Sequence, residues 1–358
     1  DKIPIYSVDI SYMPTKDIGY IKITTFAKTT YQEFLKGIDK LKRSGMKKLI
    51  VDLRGNTGGY MDAATNIADE FLDSTNLIVY TQGKSRSRQN IYSNPGGECT
   101  NEKVIVLIDE FSASASEILA GALQDNDRGT IIGRRSFGKG LVQEQVYFKD
   151  GSALRLTTAR YYTPSGRSIQ KPYSSGNDDA YFNDISTRFQ HGEFQQVDSI
   201  KIADTLKYHT SKGRVVYGGG GIMPDMFIPL DTNGISPYLT KVANRNLIYR
   251  FAFEFTDKHR NEVRSIKDFE SVKKYLSGLD LLNEFIAFAQ RNGVTANDVQ
   301  IKHSKLIIET QIKALIARNI IDDEGFYPYI LEIDETLKKA IEYINKNDKI
   351  NEKLSIVS

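Results

Sequence analysis

The segment Asp109-Glu-Phe-Ser-Ala-Ser-Ala-Ser-Glu-Ile118 brings nucleophilic side chains into a setting that suits them. Small residues join an apolar run to a helix-forming stretch, leaving room for a substrate beside the backbone. A serine at a helix N-terminus meets the positive end of the helix dipole, and the free N–H groups there can bind an oxyanion. Ser114, with the Ala115 N–H beside it, is such a residue. The same letters spell a capping box, Ser114-Ala-Ser-Glu117, whose hydroxyl only satisfies backbone donors. Ser112 and Ser116 stand in the same run. From these letters alone the serine and its role both stay open.

A serine nucleophile needs a base. The four histidines, His191, His209, His259 and His303, fall in a polar excursion and in the last third of the chain. A Ser-His-Asp triad would have to come from tertiary folding, and nothing local supports it. The other base that serves a serine is a neutral lysine. Lys139, in Ser136-Phe-Gly-Lys-Gly140, is flanked by glycines that permit close packing and by apolar Phe137 and Leu141. Such surroundings can desolvate an amine, although a solvated lysine on a glycine turn has the same letters. A third loop, Asp52-Leu-Arg-Gly-Asn-Thr-Gly-Gly59, also follows an apolar run and precedes a helix-forming one. Its glycines can aim a backbone N–H into a crevice at the carboxyl ends of neighbouring strands. A tight turn or an anion-binding nest would look the same.

One rival belongs to another enzyme class. Gly133-Arg-Arg-Ser-Phe-Gly138-Lys139 fits the opening of a phosphate-binding P-loop, and Leu49-Ile-Val-Asp52 resembles its Walker B strand. Against it, Gly140 stands where a Ser or Thr should ligate Mg²⁺, and Leu141 to Phe148 reads as strand where a helix must begin.

The elements that must carry these loops alternate. Tyr20–Phe26 alternates apolar and polar residues, as a half-buried strand does. Thr30–Arg43 has Phe34, Ile38 and Leu41 on one helical face. Lys48–Leu53, Lys103–Asp109 and Gly129–Gly133 read as buried strands, Met61–Leu72 and Ser114–Gln124 as helices, and Gly140–Phe148 as a further strand. This β-α-β order predicts an α/β core with parallel strands. Residues 172–213 are polar and weakly periodic, an excursion between strand-rich pieces. From 233 the pattern turns helical, with Ile308, Ile312, Leu315 and Ile316 on one face, Leu337, Ile341 and Ile344 on another, and Asp334 placed to cap the last helix. The expected division is therefore a core over 1–232, with the excursion inside it, and a mainly helical region over 233–358.

Composition narrows the classes. With 358 residues the prior is two domains at about 150 residues each. The charge balance, 48 basic against 45 acidic residues, speaks against a nucleic-acid or membrane-surface protein. No run approaches the roughly 20 apolar residues that span a bilayer. The single cysteine, Cys99, excludes an internal disulfide framework and a cysteine zinc cluster. The first residue is Asp1, with no charged, apolar and cleavage regions of a signal peptide behind it. A processed or truncated piece is expected, its address signal not among these residues.

Taken together, the loops resemble the C-terminal processing peptidases, or tail-specific proteases, of serine peptidase family S41. The likeness runs through Leu53-Arg-Gly-Asn-Thr-Gly-Gly59, Ser112-Ala-Ser-Ala-Ser-Glu117, Gly121-Ala-Leu-Gln-Asp125 and Phe137-Gly-Lys-Gly140. It continues through Gln143, Leu154-Arg-Leu-Thr-Thr-Ala-Arg-Tyr-Tyr-Thr-Pro-Ser-Gly-Arg-Ser-Ile169 and Gly220-Gly-Ile-Met-Pro-Asp225. The family spaces its nucleophile and lysine by 25 residues, as Ser114 and Lys139 are spaced here, and this selects Ser114 over its neighbours.

The resemblance implies a β-α-β spiral like that of the crotonase and Clp peptidase folds. It implies a metal-independent serine endopeptidase without a cofactor, acting on protein or peptide substrates in extended form. Ser114 would attack, Lys139 would be the base, and Gln143 would orient it. Ala115 and Gly58 or Gly59 would give the oxyanion N–H groups. Asp125 would support the site, as in some members, or cap its helix. The strand around Leu154–Tyr162 would pair with the substrate, with an apolar C-terminal tail as the expected target. The family works in the bacterial envelope or in thylakoids, so an extracytoplasmic, periplasmic location is implied. Members usually carry a PDZ domain ahead of the core, and none is found here. The same fold could instead serve as a catalytically idle tail-binding adaptor. For the helical end, the sequence leaves partner docking, homo-oligomer formation and shaping of access open.

Overall fold

The computed structural model describes residues 5–173, 178–200 and 204–357. These divide into two compact units. One takes in the chain up to Leu230 and resumes at Lys339; the other is Asp231–Lys338.

In the first unit, the apolar runs become the strands of a six-stranded sheet. In chain order the elements are β1 Val8–Tyr12, β2 Ile18–Ile23, α1 Thr30–Arg43, β3 Lys48–Asp52, α2 Met61–Asp69, β4 Leu77–Gln82, β5 Gln89–Tyr92, β6 Lys103–Ile108, α3 Ala115–Asp125 and β7 Gly129–Gly133. Then come β8 Leu141–Tyr147, β9 Ala153–Tyr162, the short helices α4 Asp178–Phe182 and α5 Asp184–Gln190, the hairpin β10 Lys207–His209 and β11 Val215–Tyr217, and β12 Met226–Phe227. The sheet order is β1-β2-β3-β6-β7-β12, with β1 antiparallel to β2 and the other pairs parallel. The expected α/β core is thus present. Continuous apolar runs suit strands covered on both faces: Leu49, Ile50, Val51, Val106 and Leu107 are fully buried. Against the sheet pack α1 (through Phe34, Ile38 and Leu41), α2 and α3 in one core.

Register decides where the loops go. Asp52 pairs with Leu107 and Ile108 with Gly133, so the carboxyl ends of β3, β6 and β7 lie side by side. The loops 53–60, 109–114 and 134–140 therefore leave the sheet at one edge, the usual place for a site in an α/β sheet.

A second, antiparallel sheet, β5-β4-β9-β8, was not foreseen from the sequence. Its edge strand β8 begins directly after Gly140. The excursion is less formless than its polarity predicts, since α4, α5 and β10 lie in it, β10 pairing with β11 just beyond its end. Charged contacts hold it in place of an apolar stripe, and residues 174–177 and 201–203 of it lie outside the described residues.

The second unit is helical, as the pattern beyond 233 predicts: α6 Pro237–Asn244, α7 Leu247–Lys258, α8 Arg260–Val263, α9 Phe269–Ser277, α10 Leu281–Arg291, α11 Asp298–Ile321 and α12 Asp323–Ile330. Side-chain caps open several of them: Ser236, Asp268 and Asn297 each accept an N–H of the first turn. Phe251, Phe285 and Phe288 form its aromatic centre. Ile308, Ile312 and Ile316 of α11 are buried, and α11 packs on α6, α7 and α12. The last helix, α13 Glu335–Val357, is capped by Asp334, which accepts the Leu337 N–H at 2.9 Å. No helix among the described residues is long and apolar enough to cross a membrane.

Candidate active site

Ser114 precedes the first residue of α3 with φ +56° and ψ −112°. A residue serving only as an N-cap adopts extended angles. A left-handed serine between strand and helix instead has the strained geometry of a nucleophile elbow, at a cost of about 1–3 kcal/mol. Its neighbours are otherwise employed. The Ser112 hydroxyl donates to the Leu53 carbonyl at 2.9 Å and that of Ser116 to the Asn56 carbonyl at 2.9 Å, both fully buried. Of the three, only the Ser114 side chain reaches the surface.

Two buried groups tie Ser114 to Lys139. Glu117 Oε2 accepts the Ser114 N–H and the Lys139 N–H, each at 2.8 Å. On the other side of the same carboxylate, Oε1 accepts the Gly138 N–H at 2.7 Å and the Ser136 hydroxyl at 2.5 Å. Meanwhile the Tyr161 hydroxyl donates to the Ser114 carbonyl at 3.0 Å and to the Lys139 carbonyl. One carboxylate and one phenol therefore hold the backbones of both residues, and their side chains start from neighbouring points. Burial pushes the Glu117 carboxyl above its ordinary range, against the pull of its four donors. Burial also pushes the Tyr161 phenol well up, which keeps its hydrogen as a donor. The Lys139 side chain is half-buried, and its Nζ has no ion-pair or hydrogen-bond partner among the described residues.

The 53–60 loop completes the site. Gly58 has φ +100°, and a Cβ there would lie 2.7 Å from Ser114 Cβ and 3.0 Å from the Ala115 nitrogen. Glycine is required because the loop touches the serine. The Gly58 N–H donates to Asn56 Oδ1 at 2.8 Å, whereas the Gly59 N–H has no acceptor among the described residues. At the first position of α3, the Ala115 N–H likewise has none among the described residues. Buried Asn56 anchors the loop: its Nδ2 donates to the Ile23 carbonyl at 2.9 Å and its carbonyl accepts the Ala113 N–H at 3.0 Å. Asp109 accepts the Gly55 N–H at 2.9 Å and the Ser112 N–H at 3.1 Å, joining this loop to the serine loop.

Beneath it lies Asp52, fully buried. It accepts from Tyr20 Oη at 2.7 Å, Lys22 Nζ at 3.2 Å and Arg54 Nη2 at 2.6 Å. Burial works against its charge, yet the Arg54 guanidinium and Lys22 ammonium outweigh burial and hold its carboxyl far below the usual range. A depressed carboxyl contributes stability above its unfolded pKa of about 4, and that contribution is lost as pH falls below it. Asp52→Asn is therefore expected to lower the melting temperature most at neutral pH, with the gap narrowing below about pH 4. A gap independent of pH would refute this role.

The remaining expected residues fall as follows. Gln143 is exposed on β8 at a bulge after Val142, opposite Thr157 of β9, and its side chain makes no hydrogen bond among the described residues. Asp125 ends α3, about 15 Å along the axis from its start at 1.5 Å per residue. Its carboxylate accepts from Arg167 Nη2 at 2.6 Å and from the Ser165 N–H at 3.1 Å, so it holds the Thr163–Arg167 turn, while Asn126 takes the C-cap position. His191 is exposed, and His209 Nδ1 lies 3.4 Å from the Gly213 carbonyl; neither contacts Ser114. The P-loop reading fails. Leu141–Tyr147 is a strand, and the Gly138 and Lys139 N–H groups that would cradle phosphate are spent on Glu117. Sequence reasoning missed Glu117 as a holder of the lysine loop, and Tyr161 altogether. Glu117 stood in the capping box, but a capping box does not reveal that the carboxylate also reaches residues 136–139.

A family model described as peptidase family S41 matches residues 17–176, and one described as a family of unknown function (DUF8443) matches residues 238–322. A carboxy-terminal-processing protease of Bartonella bacilliformis is 45% identical over 166 residues, covering 45% of this chain and 38% of that protein. A carboxyl-terminal-processing protease of Synechocystis sp. is 39% identical over 158 residues, covering 44% and 36%. CtpA of Bacillus subtilis, a carboxy-terminal processing protease, is 37% identical over 171 residues, covering 48% and 36%. Among solved structures, a photosystem II D1 C-terminal processing protease is 32% identical, covering 48% of this chain and 47% of that one, with a TM-score of 0.43. The matches span less than half the length of these curated relatives. It is residues 17–176, which hold Ser114, Lys139 and the loop of Gly58, that are similar to peptidase family S41.

Proposed function

We propose that the first unit is a serine endopeptidase that cleaves proteins near their C-terminus with a Ser-Lys dyad. Lys139, as the general base, takes the Ser114 hydroxyl proton as Oγ attacks the scissile carbonyl. The oxyanion forms between the Ala115 and Gly59 N–H groups, which are worth a few kcal/mol in the transition state. The lysine, now an ammonium, gives its proton to the leaving amine; water then attacks the Ser114 ester by the reverse of these steps. Gln143, four residues beyond the lysine, is assigned to orient it once substrate covers β8. The observation that carries the reading is the shared grip of Glu117 and Tyr161 on Ser114 and Lys139.

The substrate strand is revised from the expected one. Near the site β9 is already paired on both sides, with β4 and β8. The open edge belongs to β8, directly after Gly140, and an extended substrate can add there by main-chain hydrogen bonds. Cleavage near the C-terminus and a location outside the cytoplasm are supported by the relatives' names, one of them a chloroplastic processing peptidase of Arabidopsis thaliana. The test is an unfolded protein carrying a different tag at each end. Loss of the C-terminal tag before the N-terminal one is expected. Equal loss would remove the tail preference, and no cleavage would remove the function.

A further inference from the structure

We propose that Arg188, in the polar excursion, is a positioning residue for Lys139, holding from one side the loop that Glu117 holds from the other. The inference rests on the Ser-Lys reading and extends the catalytic assembly to residues outside its motifs.

The loop 134–140 is neither helix nor strand, so its backbone groups must find partners in the tertiary structure. Its N–H groups at Gly138 and Lys139 go to Glu117, and that of Phe137 goes to the Ser112 carbonyl at 3.0 Å. Carbonyls on the same stretch go to Arg188 of α5, which is 3% exposed. Its Nη2 donates to the Arg135 carbonyl at 2.6 Å and its Nη1 to the Ser136 carbonyl at 3.0 Å. A planar guanidinium can serve two consecutive carbonyls at once; an ammonium cannot reproduce that fork.

Arg188 is itself held. Glu193 accepts its Nε at 3.0 Å, and the same carboxylate accepts from Arg135 at 2.7 Å. Arg135 in turn reaches the Gly220 carbonyl at 2.9 Å. A second tie comes from Lys171. Its Nζ sits 3.9 Å from the centroid of Phe137 and 4.2 Å from that of Tyr181, and donates to the Tyr181 carbonyl at 2.9 Å. Its N–H donates to the Gly138 carbonyl at 2.9 Å. The excursion, with Lys171 just ahead of it, thus closes on residues 135–138, immediately before the base. Where a reacting group must be held within a fraction of an ångström, a shift of about 1 Å costs roughly a hundredfold in rate.

The test compares the parent chain, Lys139→Ala, Arg188→Ala and Glu193→Gln on a chromogenic ester that reports acylation, with active-site titration of each. Arg188→Ala is expected to titrate one site per chain. Its acylation rate constant should fall at least about tenfold with KM within about twofold, and guanidinium ion should restore part of the rate. A purely structural role would lower the number of titrated sites and leave the rate per site unchanged, which would overturn the proposal. Should Arg188→Ala fail to fold, Glu193→Gln keeps the arginine and loosens it. A several-fold slower rate per site is then expected, and an unchanged one overturns the proposal. A parent that acylates with the Arg188 variant equally fast refutes this inference alone. A silent parent, or a Lys139→Ala variant as fast as the parent, refutes the Ser-Lys reading and this inference with it.

Discussion

Lys139→Ala is expected to lower cleavage by roughly a thousandfold, within the range that a positioned general base contributes. The fold should survive the change. Lys139 is held through its backbone, by Glu117 on its N–H and by Tyr161 on its carbonyl, and its Nζ has no partner among the described residues to lose. A melting temperature within a few degrees of the parent is therefore expected beside the loss of activity. Lys139→Arg separates base from charge. A guanidinium keeps the positive charge but does not give up its proton near neutral pH, so this variant should be as silent as the alanine one. An active Lys139→Arg would mean that the lysine acts only as a cation. Both are read by the rate of cleavage per titrated serine.

Glu117→Ala is expected to damage fold and activity together. Four donors converge on this carboxylate, those of Ser136 and Gly138 buried and those of Ser114 and Lys139 part-buried. Each buried donor left without an acceptor costs about 1–3 kcal/mol. Solvent and neighbouring carbonyls will take some of them, so a net loss of at least about 3 kcal/mol is expected, and a fall in melting temperature of about 6–12 °C for a unit of this size. Well below the new melting temperature, the folded variant should still cleave slowly, since nothing else holds the Ser114 and Lys139 N–H groups on one point. Glu117→Gln is the milder version. Its amide keeps one acceptor oxygen but turns an NH₂ toward two donors. Thermal melts with rates measured on folded protein decide the matter: a variant as stable and as active as the parent would mean the carboxylate only caps α3.

Much of the frame that carries these residues was legible. Buried strands announce themselves as short runs such as Leu49-Ile-Val and Val104-Ile-Val-Leu, and α1 spans the residues that its Phe34, Ile38 and Leu41 spacing predicts. Parallel strands in β-α-β order then put the following loops at one edge, which is why three separate loops could be read as one site. Boundaries were less legible. The apolar spacing carried α2 on to Leu72, but the helix ends at Asp69, and Phe71 and Leu72 are buried by the turn that follows. Periodicity marks what is buried, not where a helix stops.

The second sheet was hidden for a related reason. Its β8 and β9 are legible as strands, but Gln143 to Leu156 is exposed throughout, so no buried face shows that they join β4 and β5 in a sheet of their own. Exposure also separates the three serines. All are small and polar in one run, and only the fold shows that Ser112 and Ser116 are buried and bonded while Ser114 is strained and accessible. The excursion is the clearest limit. Its contacts are ion pairs and guanidinium–carbonyl bonds between residues about fifty positions apart, such as Arg188 with Ser136, and no local pattern announces them.

If Ser114 is the nucleophile of a peptidase, cleavage must end when its hydroxyl is removed. The most direct measurement is cleavage of an unfolded protein by this chain beside its Ser114→Ala variant, at equal concentration and with folding of both checked by circular dichroism. Cleavage by the parent and none by the folded variant is the predicted result. Equal cleavage by both would contradict the account.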